Sequence, residues 1–147
     1  MRIPHITVAT VVESQGRFLL VEEKADGLIV YNQPAGHLEE GESLIQAAER
    51  ETLEETAWEV RVTGFLGLYH YVSPANGITY VRNCFIADPV KQHQDRRLDR
   101  DILHAVWLEP EQIRSLRGQL RSPAVLQCMD DYLLGIRYPL TLIRPLL

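Results

Sequence analysis

Gly36–Trp58 reads GHLEEGESLIQAAERETLEETAW. Within it Gly36, Glu42, Arg50, Glu51, Glu54 and Glu55 stand at fixed intervals, and Glu51, Glu54 and Glu55 decide the reading. Residues three and four apart share a helix face, so on a helix these three carboxylates converge. Like charges so close repel one another, and they persist cheaply only around a cation. Oxygen-only ligands select a hard ion, Mg²⁺ or Mn²⁺.

The helix itself is argued from other residues. Ser43 with Gln46 three positions later is a capping-box pair. The segment after this pair is rich in Ala, Leu and Glu, with no Gly or Pro through Trp58. Projected at about 100° per residue, Leu44, Ala47 and Ala48 form an apolar face, and Glu51, Glu54 and Glu55 fall on the same arc. The acids therefore continue the core-facing stripe, where solvated acids do not belong. Arg50 lies beside Glu54 and can pair with it or orient it. The competing reading is a solvated acidic helix, the usual fate of a Glu-rich run.

The preceding loop favours chemistry. Gln33-Pro34-Ala35-Gly36-His37 is predicted to bend between a short apolar run and the helix. Gly36 lets the backbone approach a ligand closely, and its carbonyl can join a coordination sphere. Gly41 supplies a second permissive turn. Either glycine alone would also serve as an ordinary turn residue.

Together these residues resemble the Nudix box: Gly, five residues, Glu, seven residues, Arg-Glu, an aliphatic, any residue, Glu-Glu, any residue, Gly, an aliphatic. Gly36, Glu42, Arg50, Glu51, Glu54 and Glu55 match, while Thr52, Ala57 and Trp58 depart from it. None of the three departures is a metal ligand in that pattern. Ala57 bears on how the helix ends, because Gly takes a left-handed cap more cheaply. The likeness extends outward. His5–Ala9, Asn32–Glu39, Arg121-Ser122-Pro123 and Arg137–Leu140 resemble the bacterial NudJ subgroup of phosphatases, over most of the chain from His5 to about Ile143.

Composition agrees with a compact intracellular enzyme. A chain of 147 residues, 46% hydrophobic and 24% charged, suffices for one domain with a real core, predicted to span residues 1–147. A net charge of -5 argues against a nucleic-acid polymer as partner but leaves a nucleotide open. Cys84 and Cys128 read as buried thiols rather than a secreted disulfide framework or a metal motif. No signal-like segment and no apolar run of membrane-spanning length stands out, which predicts a cytoplasmic protein with no membrane partner, as a monomer or homodimer.

Elsewhere, β-rich runs are predicted at His5–Val12, Arg17–Glu22, Leu28–Tyr31, Val60–Tyr71, Ile78–Ala87 and His104–Leu108. Lys91–Arg100 reads as an exposed loop and Glu109–Leu116 as a short helix. Ser122 can cap a last helix, with Pro123 at its first position and Gly135 past its end. The apolar, proline-punctuated tail from Arg137 to Leu147 is expected to dock on the domain or form an interface. Strands and helices interleave without a regular βαβ repeat, which makes an α/β mixed fold. The resemblance implies the Nudix-type α/β/α sandwich with a mixed central sheet.

The resemblance also implies roles. The Gly36 carbonyl, Glu54 and Glu55 would hold the metal, Glu51 would bind metal or handle a proton of the attacking water, and Glu42 and Arg50 would orient the ligands. A further acid is expected from a later loop, with Asp99 and Asp101 as candidates. Asp101 is favoured because its place before Trp107 resembles an acidic position in MutT-like members. Gln33, His37 and Arg82 are candidates for the substrate pocket. Tyr31, Tyr69, Tyr71 and Tyr80 could stack on a ring, although strand tyrosines are more often simply packed. The implied activity is Mg²⁺-dependent hydrolysis of phosphoanhydrides in nucleoside di- and triphosphates and in thiamine-pathway pyrophosphates. Internal cleavage of the ADP-ribose type and a non-catalytic nucleotide-sensing module are the alternatives.

Overall fold

The computed structural model describes residues 2–147. Alternation along β1 (His5–Ser14) organises the rest. Val8 and Val12 point to one face of the sheet, and Ala9 and Val11 to the other; all four are buried. A strand apolar on both faces belongs in the middle. β1 pairs in parallel with β6 (Thr79–Gln92) from His5–Tyr80 to Val12–Ala87. It pairs antiparallel with β4 (Ala35–His37) and with the start of β2 (Arg17–Ala25). β3 (Leu28–Asn32) flanks β2, β5 (Trp58–Val72) flanks β6, and β7 (Ile102–Leu108) adds to β2. The mixed sheet therefore runs β3-β2-β1-β6-β5, with β4 and β7 beside that path.

Helices cover both faces. α1 (Leu44–Thr56) lays Ala47 and Ala48 on Val8, Val12, Leu19 and Phe85. On the other face, α2 (Pro110–Ser115) supplies Ile113, and α3 (Ala124–Leu133) supplies Val125, Cys128 and Met129, against Ala9, Val11 and Leu20. This is the α/β/α sandwich that the resemblance implied. Cys84 and Cys128 are both buried free thiols. No helix among the described residues is long and apolar enough to cross a membrane.

α1 starts as its sequence predicts. The Ser43 side chain accepts the Gln46 N–H at 3.1 Å, and the Gln46 side chain accepts the Ser43 N–H at 2.9 Å. Thr52, which replaces an aliphatic residue of the box, is fully buried and has a reason to be polar. Its hydroxyl meets that of Thr10 at 2.8 Å and reaches the Ala48 carbonyl at the same distance. The C-terminus carries strain. Ala57 caps the helix at φ 62°, its N–H bonded to the Leu53 carbonyl. This conformation is costly for an L-residue and not for glycine. Ala57→Gly is therefore expected to raise stability by about 0.5–1 kcal/mol, net of glycine's freer unfolded chain. A thermal melt measures it.

Some boundaries differ from the sequence reading. β6 continues to Gln92, because β5 begins at Trp58 and gives it a partner there. β7 begins at Ile102 rather than His104, paired with Glu23. Pro123, expected at the first position of α3, sits just before it as the N-cap residue. The tail docks on the domain. Tyr138 exchanges backbone hydrogen bonds with Phe65 at 2.8 and 2.9 Å, and Leu140 and Ile143 pack on the α1-side core. Trp58 and Trp107 meet edge to face at 5.5 Å.

Candidate active site

β4 places the Gly36 loop against the second half of α1. Ala35 donates its N–H to the Glu55 carboxylate at 2.9 Å. The Glu51 carboxyl group lies so close to the Gly36 Cα that a β-carbon there would overlap it. Glycine at 36 is thus a packing requirement of the acid, beyond any need of the turn. Because the overlapping group is the end of a side chain, Gly36→Ala should fold normally but displace Glu51. A misplacement of about 1 Å costs roughly 10²-fold in catalysis. The expected result is an unchanged melting temperature with turnover reduced by about that factor.

Three acids converge here. Single carboxylate oxygens of Glu51, Glu55 and Asp99 all lie within 4.8 Å of one another. Burial, reinforced by Glu51, Glu23 and Asp99, pushes the Glu55 carboxyl up to about 8. Burial also raises Glu51, against the pull of Arg50. Glu54, expected to hold metal with Glu55, is not one of these three; its carboxylate lies 3.2 Å from Arg50 Nη1.

Arg50 is the hub. Its Nε and Nη2 grip the two oxygens of Glu42 at 2.9 and 2.7 Å, and Nη1 reaches Glu51 at 2.7 Å. Nη2 also donates to the His37 carbonyl at 3.1 Å, which ties helix to loop. Glu42 is held below the ordinary carboxylate range chiefly by this bonding.

The loop acid differs from the one the sequence favoured. Asp99, not Asp101, joins the group. The Asp99 N–H is bonded to the Glu54 carbonyl at 3.1 Å, which pins residue 99 to the end of α1. Asp101 instead abuts the early start of β7. Its carbonyl accepts the Lys24 N–H at 3.0 Å, and it is exposed.

A cleft of about 640 Å³ opens from the acids between the β4-β1-β6-β5 part of the sheet and β3. Gly36, His37, Glu51 and Glu55 line one end, and Arg82, Tyr71 and Tyr80 line its floor. His37 keeps an exposed side there, its ring 2.9 Å from that of His5, and partial desolvation, with His5 beside it, lowers its pKa. Two further expectations are corrected. Gln33 is buried beneath the floor, where it accepts Arg82 Nη1 at 2.7 Å. It therefore braces Arg82 and does not face the cleft. Tyr31 is out of phase on β3: Leu28, Val30 and Asn32 line the cleft, while the Tyr31 hydroxyl donates to Glu22 at 2.7 Å. Tyr69 bonds Asp131 at 2.6 Å, leaving Tyr71 and Tyr80 as the tyrosines of the cleft. Thr7 and Asn32 also line it, although sequence reading gave them no role; the only signal was their phase on β1 and β3.

Two acids of one helix and one of a later loop, an arginine hub and a glycine loop thus meet at the mouth of a cleft. The NUDIX domain family model matches residues 1–127. The chain belongs to that family and is a Nudix hydrolase. It is 38% identical over 140 residues to "Phosphatase NudJ" of Escherichia coli K12, covering 95% of this chain and 90% of that protein. A solved Nudix hydrolase from Nitrosomonas europaea superposes with a TM-score of 0.95 at 44% identity, covering 97% of each chain. The Nudix domain of Shewanella oneidensis NrtR, solved with ADP ribose, shares the fold, with a TM-score of 0.70 at 20% identity, covering 92% of this chain and 90% of that one.

Proposed function

We propose that this chain hydrolyses phosphoanhydride bonds of small organic diphosphates and triphosphates with Mg²⁺ or Mn²⁺. One observation carries the reading. Acids from two distant segments meet against the Gly36 loop at the end of a cleft of nucleotide size. The residues fit a hard divalent ion: the donors are all oxygen, and Glu55 ionises readily only beside positive charge. Glu51, Glu55, Asp99 and the Gly36 carbonyl would hold it, with Glu54 beside them. When bound, such an ion offsets charge on the anhydride oxygens and stabilises the transition state. Arg50, anchored by Glu42, fixes the direction of Glu51 and Glu54. Glu51 is a ligand or takes a proton from the attacking water. A Glu51→Gln enzyme with intact metal affinity and turnover lowered about 10²–10⁴-fold would assign the second role.

Nucleoside di- and triphosphates and thiamine-pathway pyrophosphates (hydroxymethylpyrimidine pyrophosphate and thiamine pyrophosphate) are the proposed substrates, with orthophosphate released from the terminal position. The similarity to a phosphatase supports this choice, and the negative net charge supports small molecules over nucleic-acid polymers. A hydrolysis panel with product identification tests it. Orthophosphate from these substrates is the expected result. Two monophosphates from ADP-ribose, with no orthophosphate from the rest, would move the assignment to internal cleavage.

A further inference from the structure

Arg121-Ser122-Pro123 is a stretch that the sequence singles out without giving it a role, and its arginine comes to the same cleft as Glu51 and Glu55. The segment before α3 is pinned to β3. The Arg121 N–H donates to the Tyr31 carbonyl at 2.9 Å, and Leu120 forms a β-bridge with Tyr31. Arg121 Nη1 donates to Glu23 Oε1 at 2.8 Å, and the Glu23 side chain is only 7% exposed. Glu23 is itself fixed beside the loop acid. β2 pairs it with Ile102, whose N–H bonds the Asp99 carbonyl at 3.0 Å.

The guanidinium is held by one corner and left open at the rest. Its side chain is 51% exposed, and among the described residues only Nη1 finds a side-chain partner. Arg82, the other arginine lining the cleft, is 5% exposed and bonded to Gln33. Among the described residues no lysine lines it. Arg121 is therefore the guanidinium that a ligand in the cleft can reach. Such a group stays charged, and its planar fork of donors matches two oxygens of one phosphate. The Glu23 contact fixes the direction of that fork before any ligand arrives, which lowers the cost of ordering it.

We propose that Arg121, braced by Glu23, is a positioning residue for the phosphate that stays with the organic product, while the departing phosphate lies at Glu51, Glu55 and Asp99. The inference rests on the hydrolase reading for which phosphate departs, and not for the binding of a diphosphate at two points.

The test uses ligands that have no organic group and cannot be turned over. Calorimetry with Mg²⁺ would compare orthophosphate with methylenediphosphonate, whose P–C–P bridge resists hydrolysis. Wild type is expected to bind the diphosphonate about tenfold or more tightly, the worth of one charge-assisted contact. Arg121→Met keeps the length of the side chain and removes its donors. It should abolish most of that gain and leave orthophosphate unaffected. It also strands Glu23, so the ligand-free melting temperature should fall by roughly 5 °C or more. Glu23→Leu combined with Arg121→Met removes both charges. This double variant should recover the melting temperature while the diphosphonate gain stays lost. That split separates a phosphate-binding role from a structural one. In turnover of a nucleoside diphosphate, Arg121→Met should raise KM by the factor lost in binding. A diphosphonate gain that survives in both variants would overturn the proposal. So would a wild type that binds the two ligands equally. A gain that depends on Arg121 in a protein that hydrolyses no anhydride would remove the hydrolase reading and leave the phosphate site in place.

Discussion

Glu55→Gln is expected to lower Mg²⁺-supported turnover by about 10³-fold or more, the several kcal/mol of charge stabilisation that a bound divalent ion supplies. It should at the same time stabilise the metal-free protein at alkaline pH. Glutamine keeps the acceptor for the Ala35 N–H and removes the ionisable group from beside Glu51 and Asp99. The raised carboxyl sets the sign. A folded-state value of about 8 against 4.5 means that Glu55 contributes its stability fully below about 4.5 and loses it as pH rises through 8. In chelator, the wild-type melting temperature should fall relative to the variant between those limits, and the two should converge at the acid end. Saturating Mg²⁺ should restore the wild type alone, since metal favours the ionised ligand. Turnover within tenfold of wild type, or a melting difference independent of pH, would remove Glu55 from the site.

Arg50→Lys should damage activity less than Glu55→Gln does, and by a different route. One guanidinium spans Glu42, Glu51, Glu54 and the His37 carbonyl, with a two-pronged grip on Glu42. An ammonium cannot reproduce that fork. Glu42 and Glu51 side chains are only 15% and 13% exposed, so losing their partner leaves poorly solvated acids. The expected cost is about 2–3 kcal/mol by urea unfolding. Turnover should fall about 10–100-fold, with more Mg²⁺ needed for half-maximal rate. A rate loss with no change in that Mg²⁺ requirement would show that Arg50 acts on the substrate and not through Glu51 and Glu54.

These effects concentrate where the sequence is easiest to read. Capping of α1 by Ser43 and Gln46, and the facing of Glu51 with Glu55, depend on spacings of three and four that any helix imposes. The loop acid depends on a hydrogen bond between residues 54 and 99, which no local pattern encodes. Asp101 is displaced because β7 extends two residues earlier, an extension stabilised by β2 rather than by its own residues. Tyr31 fails as a pocket residue for a related reason: a strand of five residues carries too few alternations to show which phase faces the cleft. Gln33, just past its end, turns inward to a partner 49 residues away, Arg82. Thr52 reads as a mild departure from the family pattern until Thr10, distant in sequence, supplies its partner.

The hydrolase reading is tested most directly by orthophosphate release from a nucleoside diphosphate across a Mg²⁺ titration, with wild type, Asp99→Asn and Asp101→Asn side by side. Saturable, chelator-sensitive release is expected, reduced strongly by Asp99→Asn and little by Asp101→Asn. Tight nucleotide binding with no turnover at any Mg²⁺ concentration would contradict that reading, as would equal losses in the two aspartate variants.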